Sequence, residues 1–160
     1  MRRPPRASVL GLVVVSVLAA CGGSEPDRPA APPPPPEIGV RMEEYRYQPS
    51  QTVVPAGRMV FRLANQGEQF HQPLLAILPE DMPPLVEQLK GSERRSIGSL
   101  VNNPGMAPRV TSAIAVDLEE GQRYAFICVA KTAQEEDHSR MGMVWEFRAG
   151  EASPAAPPGP

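Results

Sequence analysis

Between Tyr124 and Met143 the run YAFICVAKTAQEEDHSRMGM holds Cys128, His138 and Met143, three side chains that bind transition metals. The other histidine of the chain, His71, lies far upstream, after a strand-like segment that ends at Asn65. One thiolate, two imidazoles and a thioether are the donors of a mononuclear copper electron-transfer site. Soft sulfur favours Cu(I), imidazole accepts both oxidation states, and a weak axial methionine tunes the potential. Met143, preceded by Gly142, is the axial candidate, with Met141 as its neighbouring substitute. Read from the residues alone, Cys128 is either a small buried core residue or a metal ligand. The chain has two cysteines. If Cys21 is modified, as argued below, Cys128 has no disulfide partner.

The elements that would position these side chains are strands. Ile38, Val40 and Met42 alternate with polar or small residues, and Tyr45-Arg46-Tyr47 reads as a continuation of that edge up to the Pro49 turn. Thr52-Val53-Val54 is a short β-branched run. Met59, Phe61 and Leu63 share one face of the next segment, and Asn65-Gln66-Gly67 turns the chain toward His71. Pro73–Leu78 is an apolar strand. Asp81 reads as the cap of a short helix, with Pro83 and Pro84 in its first turn, Leu85, Val86 and Leu89 on its apolar face and Gly91 at its end. The stretch from Glu93 to Pro108 reads as a loop with a turn at Asn102-Asn103-Pro104-Gly105. Strand signals resume from Val110 to Leu118. In the next strand Tyr124, Phe126 and Cys128 point to one face, and Ala125, Ile127 and Val129 to the other. A closing strand spans Gly142 to Phe147. Seven or eight short strands with turns at these spacings predict a β-sandwich, an all-β domain over 37–148. There is no phosphate loop, no internal repeat and no Ser/His/Asp constellation.

The ends of the chain have a different character. Arg2, Arg3 and Arg6 precede an apolar run from Val9 to Ala20, too short to span a bilayer as a helix, which marks 1–21 as an export signal. Leu18-Ala19-Ala20-Cys21 looks like a bacterial lipobox, in which the Cys21 sulfur takes the lipid before cleavage. Such an anchor predicts a cell-envelope protein on the outer face of the cytoplasmic membrane or on the outer membrane. Residues 22–36 are a Pro-rich tether whose five consecutive prolines favour polyproline II, long enough to hold the domain roughly 40 Å off a membrane. Residues 149–160 read as a disordered tail. Removal of the signal takes three of the 16 basic residues and none of the 18 acidic ones, moving the net charge from −2 to −5. A mildly acidic domain without a basic run argues against nucleic acid as a partner.

Tyr124-Ala-Phe126-Ile-Cys128, followed by His138-Ser-Arg-Met-Gly142-Met143, resembles the ligand region of cupredoxins, the plastocyanin and azurin superfamily. The likeness covers about residues 38 to 148. It implies a Greek-key β-sandwich with a short helical insertion, and one copper ion held by His71, Cys128, His138 and Met143. Tyr124 just after a turn is similar to the tyrosine corner of such sandwiches. Gln72 stands where the family often has an asparagine that braces the ligand loop. The Cys-to-His gap departs from the pattern: nine residues intervene here, where plastocyanin and azurin place only a few. Closure entropy rises slowly with length, so such a loop still brings its ends together, as a flap or a small hairpin. Glu135, Glu136 and Asp137 would form its solvated tip. The resemblance implies a non-enzymatic protein passing single electrons to a redox partner. The same donors also fit Cu(I) handling with a copper-exchange partner, and the fold alone fits a metal-free interaction module.

Overall fold

The computed structural model describes residues 32–91 and 97–151. The signal segment with Cys21, most of the tether and residues 152–160 of the tail lie outside the described residues.

Among the described residues, eight strands and one short helix follow one another in the order β1 (Glu37–Glu43), β2 (Arg46–Pro49), β3 (Gly57–Asn65), β4 (Pro73–Leu78), α1 (Leu85–Lys90), β5 (Gly98–Asn102), β6 (Thr111–Leu118), β7 (Arg123–Cys128) and β8 (Val144–Arg148). They form two four-stranded sheets, β2-β1-β3-β6 and β5-β4-β7-β8. All pairings are antiparallel except β1 with β3. The all-β sandwich expected from strand periodicity is therefore the observed architecture.

Alternation along the strands builds the core between the sheets. Ile38, Val40 and Met42 of β1 and Met59, Phe61 and Leu63 of β3 face Phe126, Trp145 and Phe147 across it. Phe126 and Trp145 stack with planes 7° apart, and Phe61 meets Phe126 edge-on at 5.1 Å between centroids. Each such fully buried ring contributes about 1.5–3 kcal/mol relative to exposure. The opposite side chains of β7, Ala125 and Ile127, enter a second apolar layer with Ala76, Leu78, Val144 and, from the helical segment, Met82, Leu85 and Leu89. Strand β7 is thus buried on both faces. The Tyr124 hydroxyl accepts the Glu119 N–H at 2.9 Å, tying the β6–β7 turn back to the strand, as the corner reading expects.

Four local expectations are corrected. Tyr45 does not extend β1: it turns the chain with a left-handed backbone (φ 61°), and β2 folds back antiparallel to β1. Residues 52–54 form no strand, although Val54 is buried and its carbonyl accepts the Gly150 N–H. Asp81 does not cap α1: Pro84 occupies the cap position, and the Leu85 N–H is taken by the Glu146 carboxylate of β8. Within the expected loop from 93 to 108, Gly98–Asn102 forms strand β5 on the edge of the second sheet, paired with β4 through a bulge. Its mostly exposed, small and polar residues carry no alternation, so neighbouring strand edge rather than side-chain pattern selects the conformation. The packed domain also runs slightly past both expected bounds. Val60 N–H donates to Pro36 O, and buried Ala149 exchanges backbone hydrogen bonds with Gly121 and Gln122.

Candidate metal centre

At one end of the sandwich, where β3 leads toward β4 and β7 leads toward β8, the chain brings together three of the four expected ligands. Cys128 ends β7 and is the free, buried cysteine among the described residues. His71 and His138 are also buried, at 0% and 1% exposure. Their Nδ1 atoms lie 3.2 Å apart, and Cys128 Sγ is 3.9 Å from the first and 3.6 Å from the second. The point equidistant from these three atoms is about 2.1 Å from each, within the roughly 2.0–2.3 Å that imidazole nitrogen and thiolate sulfur keep from a zinc-sized ion. With two nitrogens and a sulfur, the donor chemistry is that of copper. The cluster fits a single mononuclear copper site.

The fourth expected ligand, Met143, is fully buried in the same core, beside Cys128 in the backbone pairing. Its N–H donates to His138 O and its carbonyl accepts the Cys128 N–H, both at 3.1 Å. Its backbone therefore joins the two ligand segments. Met141 is half-buried in the turn between His138 and Met143.

The long Cys-to-His gap resolves into a small hairpin. Lys131 bridges Asp137, Thr132 N–H donates to Glu136 O, and Glu135 turns the tip with φ 66°. At its base His138 N–H donates to Ala130 O at 3.0 Å, so in space the chain leaves the site at Ala130 and returns at His138.

The His71 loop is held differently. Buried Asn65 donates through Nδ2 to Gln69 O and Met106 O and accepts the Gly67 N–H through Oδ1. Glu44, from the β1–β2 turn, accepts the backbone N–H groups of Glu68 and Gln69, and its carboxylate fills the space where any side chain at Gly67 would sit. His71 itself exchanges backbone hydrogen bonds with Met106 at 3.0 and 2.7 Å. Gln72 acts through its backbone, donating its N–H to Cys128 Sγ at 3.4 Å. Asn65, Glu44, Tyr45 and Met106 are the site-building residues that sequence reasoning did not assign. Only Asn65 left a signal, as the first residue of an Asn-x-Gly turn.

Electrostatics keeps the donors in metal-ready or near-ready forms. Burial, and then the neighbouring His138, lowers His71 to about 4, against the opposing Glu44 carboxylate. Burial lowers His138 as well, again opposed by Glu44. Both imidazoles are therefore neutral at neutral pH, with their Nδ1 atoms within hydrogen-bond distance at 3.2 Å. Burial raises the Cys128 thiol, while backbone N–H groups of Gln72 and Ala130 favour its thiolate. A metal ion taken up here releases protons on binding. Neither imidazole Nε2 has a hydrogen-bond partner among the described residues, although both are buried. Ring orientation, usually fixed by a hydrogen bond to that second nitrogen, rests here on packing.

No protein-family model matches the chain, and no curated protein sequence matches it. Solved structures do. Dithionite-reduced auracyanin from the photosynthetic bacterium Roseiflexus castenholzii superposes with a TM-score of 0.52 at 15% identity, over 72% of this chain and 97% of that one. Auracyanin B superposes with a TM-score of 0.51 at 14% identity, over 76% and 93%. At these identities the likeness establishes the fold: an all-β cupredoxin sandwich.

Proposed function

We propose that this protein is a copper-binding carrier of single electrons at the cell envelope, held to a membrane by lipid on Cys21. The observation that carries the reading is the triangle of Nδ1, Nδ1 and Sγ atoms, sized for one ion and buried at the end of a cupredoxin sandwich. His71, Cys128 and His138 would hold the ion, with the Met143 thioether as a fourth, weaker donor. Copper supplies one-electron chemistry between Cu(I) and Cu(II) when bound. The chain's part is to keep the donors still, so that little rearrangement accompanies the change of charge. Cys128 is fixed by a strand packed on both sides, His71 by its bridge to Met106 and His138 by the bond to Ala130. The Gln72 N–H, aimed at the sulfur, withdraws charge from the thiolate and favours the reduced state. The Pro-rich tether supports an anchored domain with reach toward a redox partner, and the acidic net charge argues against a nucleic-acid role.

Titration of the soluble fragment starting at Glu37 with Cu(II), followed by ascorbate, tests the reading. One equivalent bound with an intense visible band that bleaches on reduction is the expected result. Binding only of the reduced ion would replace electron transfer with Cu(I) handling and a copper-exchange partner. No stoichiometric binding in either state would leave a metal-free interaction module.

A further inference from the structure

The turn between β1 and β2 belongs to no ligand segment, yet it closes over the site. Tyr45 places its ring edge-on to His138, with centroids 5.2 Å apart and planes at 90°. The Tyr45 hydroxyl accepts the Gln69 side-chain N–H at 3.1 Å. Glu44, next to it, grips the backbone of Glu68 and Gln69. The turn is thus fastened to the His71 loop while its aromatic ring rests on His138. Its backbone also meets the third segment: a side chain at Gly142 would lie 3.7 Å from Tyr45 O. Tyr45 is only half-buried, whereas His138 beneath it is 1% exposed. The left-handed backbone at Tyr45 is strained for a residue with a Cβ, and the ring's placement is what that conformation delivers.

We propose that the Glu44–Tyr45 turn is a clasp that orients His138 and controls access to the donor cluster, with Tyr45 as the positioning residue. The clasp rests on the copper reading for its ligand, but not for its geometry. With no hydrogen bond on His138 Nε2, the Tyr45 edge restrains rotation of that ring. With His71 and Cys128 also fully buried, an ion or small reagent reaches the cluster only when the turn lifts.

The test compares Tyr45→Ala, Tyr45→Phe and Glu44→Ala with the parent chain. In the copper-loaded protein, Tyr45→Ala should release copper to a competing chelator at least ten-fold faster and should let added azide or imidazole alter the visible band. Tyr45→Phe, which keeps the ring edge, should stay near the parent. Glu44→Ala, which alters no ring at the site, should shift release in the same direction by a smaller factor. In the metal-free protein, iodoacetamide should alkylate Cys128 faster in Tyr45→Ala than in the parent at equal thermal stability. Parent-like release and alkylation in both Tyr45→Ala and Glu44→Ala would overturn the clasp. If no variant binds copper, the functional reading fails instead, and the alkylation rates still decide the clasp.

Discussion

The two histidines reach the same point by opposite means. His71 sits in a loop held by side chains: Asn65 makes three hydrogen bonds inside it, and Glu44 makes two to its backbone. His138 sits in a segment whose own backbone closes on itself, through Ala130, Met143 and Met141. The first arrangement concentrates its support in two polar residues, so single substitutions can undo it. The second distributes support over main-chain bonds that no substitution short of proline removes. A binding site can therefore be fragile on one side and tolerant on the other within a few ångströms.

The sharpest test of that contrast is Asn65→Ala. It strands the buried Gly67 N–H and the Gln69 carbonyl, leaves Met106 O with the His71 N–H alone, and should destabilise the domain by about 3 kcal/mol. Denaturant unfolding would show this as a lower midpoint at unchanged slope, with copper affinity falling alongside. A loss below ~1 kcal/mol would break the comparison, since the His71 loop would then not depend on side-chain bonds.

Acid should expose the same asymmetry in the metal-free protein. The unfolded His71 takes up a proton near its ordinary 6.5, whereas in the folded chain burial delays protonation to about 4. Stability from this source is complete above pH 6.5 and is lost as the pH falls toward 4. His138 adds to the decline in the same direction, with the larger part carried by His71. Unfolding curves across this window should flatten more for His71→Gln than for His138→Gln, and equal flattening would erase the distinction.

The tolerant side predicts smaller effects. Replacing Thr132–Glu136 with Asn-Gly leaves the Lys131–Asp137 bridge closed by a two-residue turn. The Ala130–His138 bond lies outside the change, so copper stoichiometry should hold and stability should move by less than about 1 kcal/mol. Loss of binding would show that hairpin length is part of the site after all. Glu135→Gly, which removes a Cβ from a left-handed position, should raise the melting temperature slightly through about 0.5 kcal/mol.

Much of this was legible before any coordinates. The two-fold alternation of Met59, Phe61 and Leu63, and the split of Tyr124, Phe126 and Cys128 from Ala125 and Ile127, followed directly from a strand's period, and both faces are used as expected. The metal-binding side chains were legible because few residue types serve that purpose and the chain has so few of them. What stayed hidden depends on contacts distant in sequence. Strand β5 exists because β4 offers it an edge, the Glu44 carboxylate matters only once β1 lies beside the Asn65 loop, and the Glu146 cap of α1 comes from 61 residues away. In sequence Tyr45 reads as extended because its neighbours alternate. Its reversal is a property of the hairpin it closes, not of its own side chain.

Because β7 is covered by apolar layers on both sides, the sulfur at its end is attached to the part of the molecule slowest to open. Fraying of the hairpin, or lifting of the β1–β2 turn, leaves that strand in place. Freeing the backbone of Cys128 requires both layers to come apart, which is close to complete unfolding. Its backbone amide should accordingly exchange with solvent at the rate set by global opening, however often the turn above the sulfur lifts.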